Sequence, residues 1–311
     1  MTPTANARST GGAGRAGARI DVRKTYKLAI GGAFPRSESA RTYTVSDARG
    51  RFLANAAQAS RKDARDAVSA ASKALAGWSG ATAYNRGQVL YRVAEVMEGR
   101  HAQFTDEVAR AEGLTAARAR ATVDAAIDRW VWYAGWADKL AQVAGAANPV
   151  AGPYFNLSLP EPTGVVAILA PQASSLLGLV SVIAPVIVSG NTCVVVASQT
   201  RPLPAITLAE VLATSDVPGG VVNTLTGFTA ELAPWLASHE DVAAIDLAGA
   251  AELGWADLEA AAAQTLTRVV RPGEGSDGAG DTEIGWAARP PGPHRALAFT
   301  ETKTVWHPKG R

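Results

Sequence analysis

The 311-residue chain is 47% hydrophobic and 19% charged, enough apolar material for a sizeable core in one or two domains. Residues 1–24 hold Arg8, Arg15, Arg19, Arg23 and Lys24 against the single acid Asp21, a net +4, so with +2 overall the remainder carries −2, which argues against a nucleic-acid-binding body. One cysteine, Cys193, excludes an intramolecular disulfide framework and any multi-cysteine metal site; the longest apolar run, residues 176–188, is short of a membrane span, so a cytoplasmic protein with no membrane partner is expected.

Residues 1–24 are read as a disordered tail, because their Ala, Gly, Ser, Thr and Arg composition buries too little apolar surface to offset chain entropy. From 26 to 54 short β-type runs alternate with turns, with small strands expected at 27–30 and 42–45. Ser60 and Asp63 have capping-box spacing, and Ala64, Ala67, Val68, Ala71, Leu75 and Trp78 recur at helical intervals, with Gly77 read as the stop. A second helix is expected from about Thr82, a third over 101–112 ending at Gly113, and one long helix over about 115–143. On the last, Trp130, Trp132, Tyr133 and Trp136 fall three and four apart, a spacing for core or subunit packing.

At 148 the composition changes. Prolines 149, 153, 160 and 162 and Gly152 bracket an alternating strand at 154–159 that reads as an arm leaving the domain. Four short apolar runs follow at 164–169, 192–196, 220–225 and 242–247, separated by helix-length segments at 174–189, 203–215, 229–238 and 251–264. A fifth strand is expected at 267–270. That alternation predicts an α/β fold with a doubly wound, Rossmann-like parallel sheet. Residues 271–296 are rich in Gly, Pro, Asp and Glu without periodicity and read as a linker. Two strand-like pieces close the chain at 297–299 and 301–306.

A doubly wound sheet carries nucleotide binding as its fold-level expectation, at helix N-termini beyond the carboxyl ends of the strands. The Gly-x-Gly-x-x-Gly fingerprint is missing, since Ala170-Pro171-Gln172-Ala173-Ser174-Ser175-Leu176 follows the first strand. The four histidines (101, 239, 294 and 307) are scattered, so no metal pair and no catalytic triad is expected. Glu252 reads as a solvated residue of a helix's first turn.

The order of several short motifs nevertheless resembles the aldehyde dehydrogenase superfamily. They are Lys27-Leu28-Ala29-Ile30-Gly31-Gly32, Glu161-Pro162-Thr163-Gly164-Val165-Val166, Ala170-Pro171, Ser189-Gly190-Asn191-Thr192, Pro218-Gly219-Gly220-Val221-Val222-Asn223, Thr226-Gly227, Ala248-Gly249 and Glu301-Thr302-Lys303-Thr304-Val305. The resemblance covers most of 25–270 and the C-terminus. It implies a nucleotide-binding-type domain formed by 25–151 and 163–270, and a bridging arm from 152–162 and 297–311 whose strands pair with a neighbouring subunit. The family's catalytic domain would stand where the 271–296 linker runs.

Carried over position by position, the family's oxyanion asparagine falls on Ala173, which has no side-chain donor. Its ribose-binding lysine and glutamate fall on Val196 and Gln199, beside Ser198. Its Phe-Thr-Gly-Ser segment becomes Leu247-Ala248-Gly249-Ala250, and its general-base glutamate aligns with Pro272, two residues before Glu274. Ser198, Gln199, Gly227 and Gly249 are what is left of a cofactor site, so no cofactor is expected, with NAD(P) implied by the resemblance alone. Cys193 lies in a Val-rich strand and reads as a core residue, leaving no catalytic residue. The expectation is a non-catalytic subunit that assembles with a full-length aldehyde dehydrogenase, or with itself, through Tyr154, Phe155, Leu157, Leu159, Thr302, Thr304, Val305 and Trp306. The alternatives are an autonomous NAD(P)-dependent dehydrogenase and a stand-alone nucleotide-binding module. A plainer reading of the arm has both strands pairing within one chain.

Overall fold

A computed structural model of the chain describes residues 24–272 and 285–309. The expected tail up to residue 23, and Glu274, lie outside the described residues. The chain opens with an antiparallel hairpin, β1 (Thr42–Ser46) and β2 (Phe52–Ala57), paired from Thr42 opposite Ala57. Residues 27–30, expected as a strand, make only isolated bridges, Ala29 with Thr224 and Ile30 with Ala33. The intervening Gly31-Gly32 turn, with φ of 62° and 81°, folds this segment back on itself before it can extend a ladder.

Four helices follow: α1 (Arg61–Gly80), α2 (Ala83–Gly99), α3 (His101–Glu112) and α4 (Ala116–Trp136), then one short turn of helix, α5 (Leu140–Ala144). Ser60 and Asp63 form the capping box, Ser60 N donating to Asp63 Oδ2 at 2.8 Å and Asp63 N to Ser60 Oγ at 3.3 Å. α1 runs past Gly77 because the buried Trp78 indole donates to Ile187 O at 2.9 Å, and that anchor holds the last turn helical. Gly113, with φ of 70°, ends α3 in the left-handed conformation. The long helix expected to 143 is instead broken after Trp136, where Ala137 N bonds back to Ala134 O and tightens the turn toward α5. Trp130 and Tyr133 are buried in the core, and Trp132 stacks on Trp136 with ring centroids 5.1 Å apart.

The arm is a three-stranded antiparallel sheet of β3 (Ala146–Asn148), β4 (Tyr154–Pro162) and β10 (Thr300–Pro308), in the order β10-β4-β3. Between β4 and β10 the chain builds the parallel sheet: β5 (Val165–Leu169), α6 (Leu177–Val188), β6 (Thr192–Val196), α7 (Leu203–Ala213), β7 (Val222–Leu225), α8 (Thr229–Ala237), β8 (Val242–Asp246), α9 (Trp255–Ala263) and β9 (Arg268–Val270). Its strand order is β7-β6-β5-β8-β9, with every pair parallel. β5 and β6 are buried at every residue, as continuous apolar runs covered by helices on both faces require. α6 is likewise buried along its whole length, against α4.

α9 begins at Trp255 rather than near 251, so Glu252 sits in an exposed turn and the first-turn acid is Asp257. Residues 293–297 form a short helix, α10 (Pro293–Leu297), where 297–299 was expected to be strand-like. Asn191, fully buried, accepts from Gly164 N at 2.8 Å and donates to Ser189 Oγ and to Phe299 O, both at 2.8 Å. One side chain therefore ties the start of β5, the end of α6 and the approach to β10.

Candidate functional site

The sheet order reverses at β5, with β6 and β7 on one side and β8 and β9 on the other. In an open α/β sheet the ligand crevice lies outside the carboxyl ends of the two strands at such a point, here β5 and β8. Ser198 and Gln199 follow β6, Gly227 follows β7 and Gly249 follows β8, so all four expected residues sit on loops at this carboxyl edge. The structure gives each of them a partner or a packing role within the protein.

Gly249 spans the switch point: its N–H donates to Leu169 O at 2.7 Å, and a Cβ on it would lie 1.9 Å from Ala170 O. The glycine is needed for the close approach of one loop backbone to another. Gly227, at φ 147°, likewise fits its backbone beside Ala59 N, 3.1 Å from where a Cβ would stand.

Ser198 is buried, and its hydroxyl donates to Gln172 O at 2.8 Å while accepting from Arg201 N at 3.2 Å. Gln172 itself clasps both loops, its amide donating to Ala170 O at 2.8 Å and its carbonyl accepting from Gln199 N at 2.9 Å. The side chain of Gln199 is half-buried and makes no hydrogen bond with the described residues, so it alone of the four presents a polar side chain to a ligand. Arg201 donates to Ala173 O, on the loop where the resemblance places an oxyanion donor.

A second device, not foreseen from the sequence, covers this edge. Residues 285–299 run as a strap over α4, α6 and the end of β8. The buried guanidinium of Arg129 donates to Trp286 O at 3.1 Å, to Arg289 O at 2.6 Å and to Ser181 Oγ, and Tyr133 Oη donates to Gly292 O at 3.3 Å. The Trp286 indole packs on the first turn of α6, where a Cβ on Gly178 would meet Nε1 at 2.9 Å. Arg295 then pairs with Asp246, the last residue of β8, which also accepts from Ala248 N at 3.0 Å. Burial pushes the Asp246 carboxyl up, against the lowering pull of Arg295. The strap thus brings the Trp286 indole and the Arg295–Asp246 ion pair together, with the Arg295 guanidinium 5.7 Å from the indole centroid.

Cys193 is the second residue of β6, buried and about 10 Å of strand away from the carboxyl edge. Burial pushes its thiol far above the ordinary range. Pro272 follows β9 and offers no base. Among the described residues no three His, Cys, Asp or Glu side chains converge as metal ligands, and no helix is long and apolar enough to cross a membrane.

The aldehyde dehydrogenase family model matches residues 34–277, and the chain belongs to that family. It is 33% identical over 263 residues to cytosolic 10-formyltetrahydrofolate dehydrogenase of Mus musculus, covering 81% of this chain and 28% of that protein. Among solved structures, the NAD-dependent aldehyde dehydrogenase of Sinorhizobium meliloti superposes with a TM-score of 0.75 at 27% identity, over 82% of this chain and 51% of that one. PnpE from Pseudomonas sp. WBC-3 superposes with a TM-score of 0.75 at 26% identity, over 80% and 50% of the two chains, and PnpE has also been solved with nicotinamide adenine dinucleotide. The chain thus spans about half the length of these solved relatives and a smaller share of the mouse protein.

The expected assembly strands lie together. β4 and β10 pair within the one chain, from Thr300 opposite Pro162 to Pro308 opposite Tyr154, which is the plainer of the two pairings weighed from the sequence. Residues directly opposite share a face. Val305 therefore lies beside Leu157, on the face that also carries Phe155 and Leu159, whereas Trp306 lies with Tyr154, their rings 5.8 Å apart, on the face with Thr302 and Thr304. Phe155 is 62% exposed and Trp306 59%, and β10 is the outer strand of its sheet.

Proposed function

We propose that this chain is a non-catalytic member of its family that assembles with a full-length aldehyde dehydrogenase subunit and stabilises or regulates it. The observation that carries the reading is the arm: a nine-residue outer strand, β10, beside Phe155, Leu157 and Leu159, all more than 40% exposed. Such an edge pairs with another chain by strand addition, and its apolar face needs cover. The sole thiol, meanwhile, lies buried in β6, a setting that leaves it protonated and out of reach of an aldehyde. Ser198 and Gly249 serve the protein's own loops, which supports a cofactor site that no longer holds NAD(P).

The test is co-expression with full-length family members from the same cells. Co-purification in fixed ratio, lost on Val305→Lys with Leu157→Lys, is the expected result. Aldehyde-dependent reduction of NAD(P) by the isolated chain, abolished by Cys193→Ala without unfolding, would instead establish an autonomous dehydrogenase. The PnpE complex with nicotinamide adenine dinucleotide favours a second reading, a nucleotide-binding module without a partner. In that case Gln199 bonds a ribose hydroxyl, and tryptophan fluorescence shows saturable quenching by NAD.

A further inference from the structure

Away from the sheet's carboxyl loops, a cavity of about 340 Å³ opens between the 24–27 segment, the 36–42 turn and the β1–β2 hairpin. Four of its lining side chains are cationic: Lys24, Lys27, Arg36 and Arg41. This is a concentration of charge in a chain whose residues beyond 24 carry a net −2. Lys24 is matched by Glu210 at 2.7 Å. Among the described residues Lys27, Arg36 and Arg41 have no carboxylate partner, and the Arg41 side chain only donates Nε to Ser39 Oγ at 3.4 Å.

The nearby acids are spent elsewhere. Asp63 accepts from Ser37 Oγ at 2.7 Å, Glu38 N at 3.1 Å and Ser60 N at 2.8 Å. Glu38 accepts from Ser60 Oγ at 2.9 Å and lies 3.7 Å from Lys62, and Glu210 is shared between Lys24 and Arg100. Lys27 is half-buried, and Arg36 and Arg41 are exposed at the rim, where an anion can reach all three. The rest of the wall includes the rings of Tyr26 and Phe52, with Tyr26 buried and its hydroxyl pushed up to about 12 by burial and by Glu107 and Glu210, so that it stays a neutral donor.

We propose that this cavity binds a small phosphorylated ligand, its phosphate or pyrophosphate group held by Lys27, Arg36 and Arg41. Arginine matches phosphate with paired N–H donors, lysine adds a point charge, and the volume is that of a small-molecule site. None of these residues belongs to the switch-point loops or to the arm, so the inference stands apart from the partner-subunit reading.

The test is calorimetric titration of the full chain with inorganic pyrophosphate, and with phosphate, at matched ionic strength. Saturable binding is expected, weakened about tenfold or more by Lys27→Met with Arg36→Gln and unchanged by Arg118→Gln with Arg120→Gln, an exposed pair on α4. If the first pair fails to fold, Arg41→Gln alone gives the same readout from an exposed position. No saturable heat up to millimolar pyrophosphate, or equal weakening by the α4 pair, overturns the proposal.

Discussion

Arg295 lays its guanidinium against the carboxylate of Asp246, joining the strap that precedes β10 to the carboxyl end of β8. The Asp246 side chain is 1% exposed and that of Arg295 16%, so each depends on the other for its counter-charge. This pair fastens the strap over the switch point from which a nucleotide-binding member of the fold works.

Removing one partner leaves a buried charge. Arg295→Met should lower stability by about 3 kcal/mol in urea unfolding, and Asp246→Leu combined with Arg295→Met should recover most of the loss. The sign with pH follows from Asp246, whose folded carboxyl is raised by burial. A raised acid contributes stability below its unfolded range and loses it as pH rises through the folded value. Without Arg295 the raising is larger, so the deficit should be greater at pH 8 than at pH 5.

Gly249→Ala is expected to cost about 3 kcal/mol or to prevent folding, since its Cβ would sit 1.9 Å from Ala170 O and neither backbone has room to yield. Gly135→Ala is the contrast. It lies within α4 with nothing within 4 Å of the added carbon, and should stabilise by about 0.5–1 kcal/mol. Thermal unfolding of both variants reads the difference.

Cys193 should resist thiol reagents in the native protein at pH 8 and react fully once urea unfolds the chain, because burial both hides the sulfur and raises its pKa, keeping it a thiol. Rapid labelling of native protein would contradict this and reopen its candidacy as a nucleophile.

Glu107 is a half-buried acid with a separate signature. Its Oε1 accepts from Gln103 at 2.9 Å and Thr207 at 3.0 Å, while Oε2 has no hydrogen-bond partner among the described residues, and burial raises its carboxyl. The wild type should therefore lose stability as pH rises through that raised value, and Glu107→Gln should not. The variant should exceed the wild type by about 1 kcal/mol at pH 8 and lose that advantage toward pH 4. Urea midpoints across that range check it.

Much of the fold can be read from residues alone where local and tertiary signals agree. β5 and β6 are unbroken apolar runs because both faces are covered, and Ser60 with Asp63 marks the start of α1 by side-chain chemistry that acts within four residues. Legibility fails where order comes from distant partners. Residues 285–297 have no periodicity, and their course is set by Arg129, Tyr133 and Asp246, each more than 40 positions away. The end of α1 was missed for the same reason, since Trp78 is held by Ile187. At the candidate site, Ser198 and Gly249 stand at the loops where they were expected. Their engagement with Gln172 and Leu169 leaves no trace in spacing or composition.

The most direct test of the partner-subunit proposal is the intact mass of the assembly purified through a tag on this chain, expressed at its native level in its own cells. A single complex containing a longer aldehyde dehydrogenase in fixed stoichiometry, dispersed by Val305→Lys with Leu157→Lys, is the predicted result. The chain recovered alone, as monomer or as an assembly of identical copies, would contradict it.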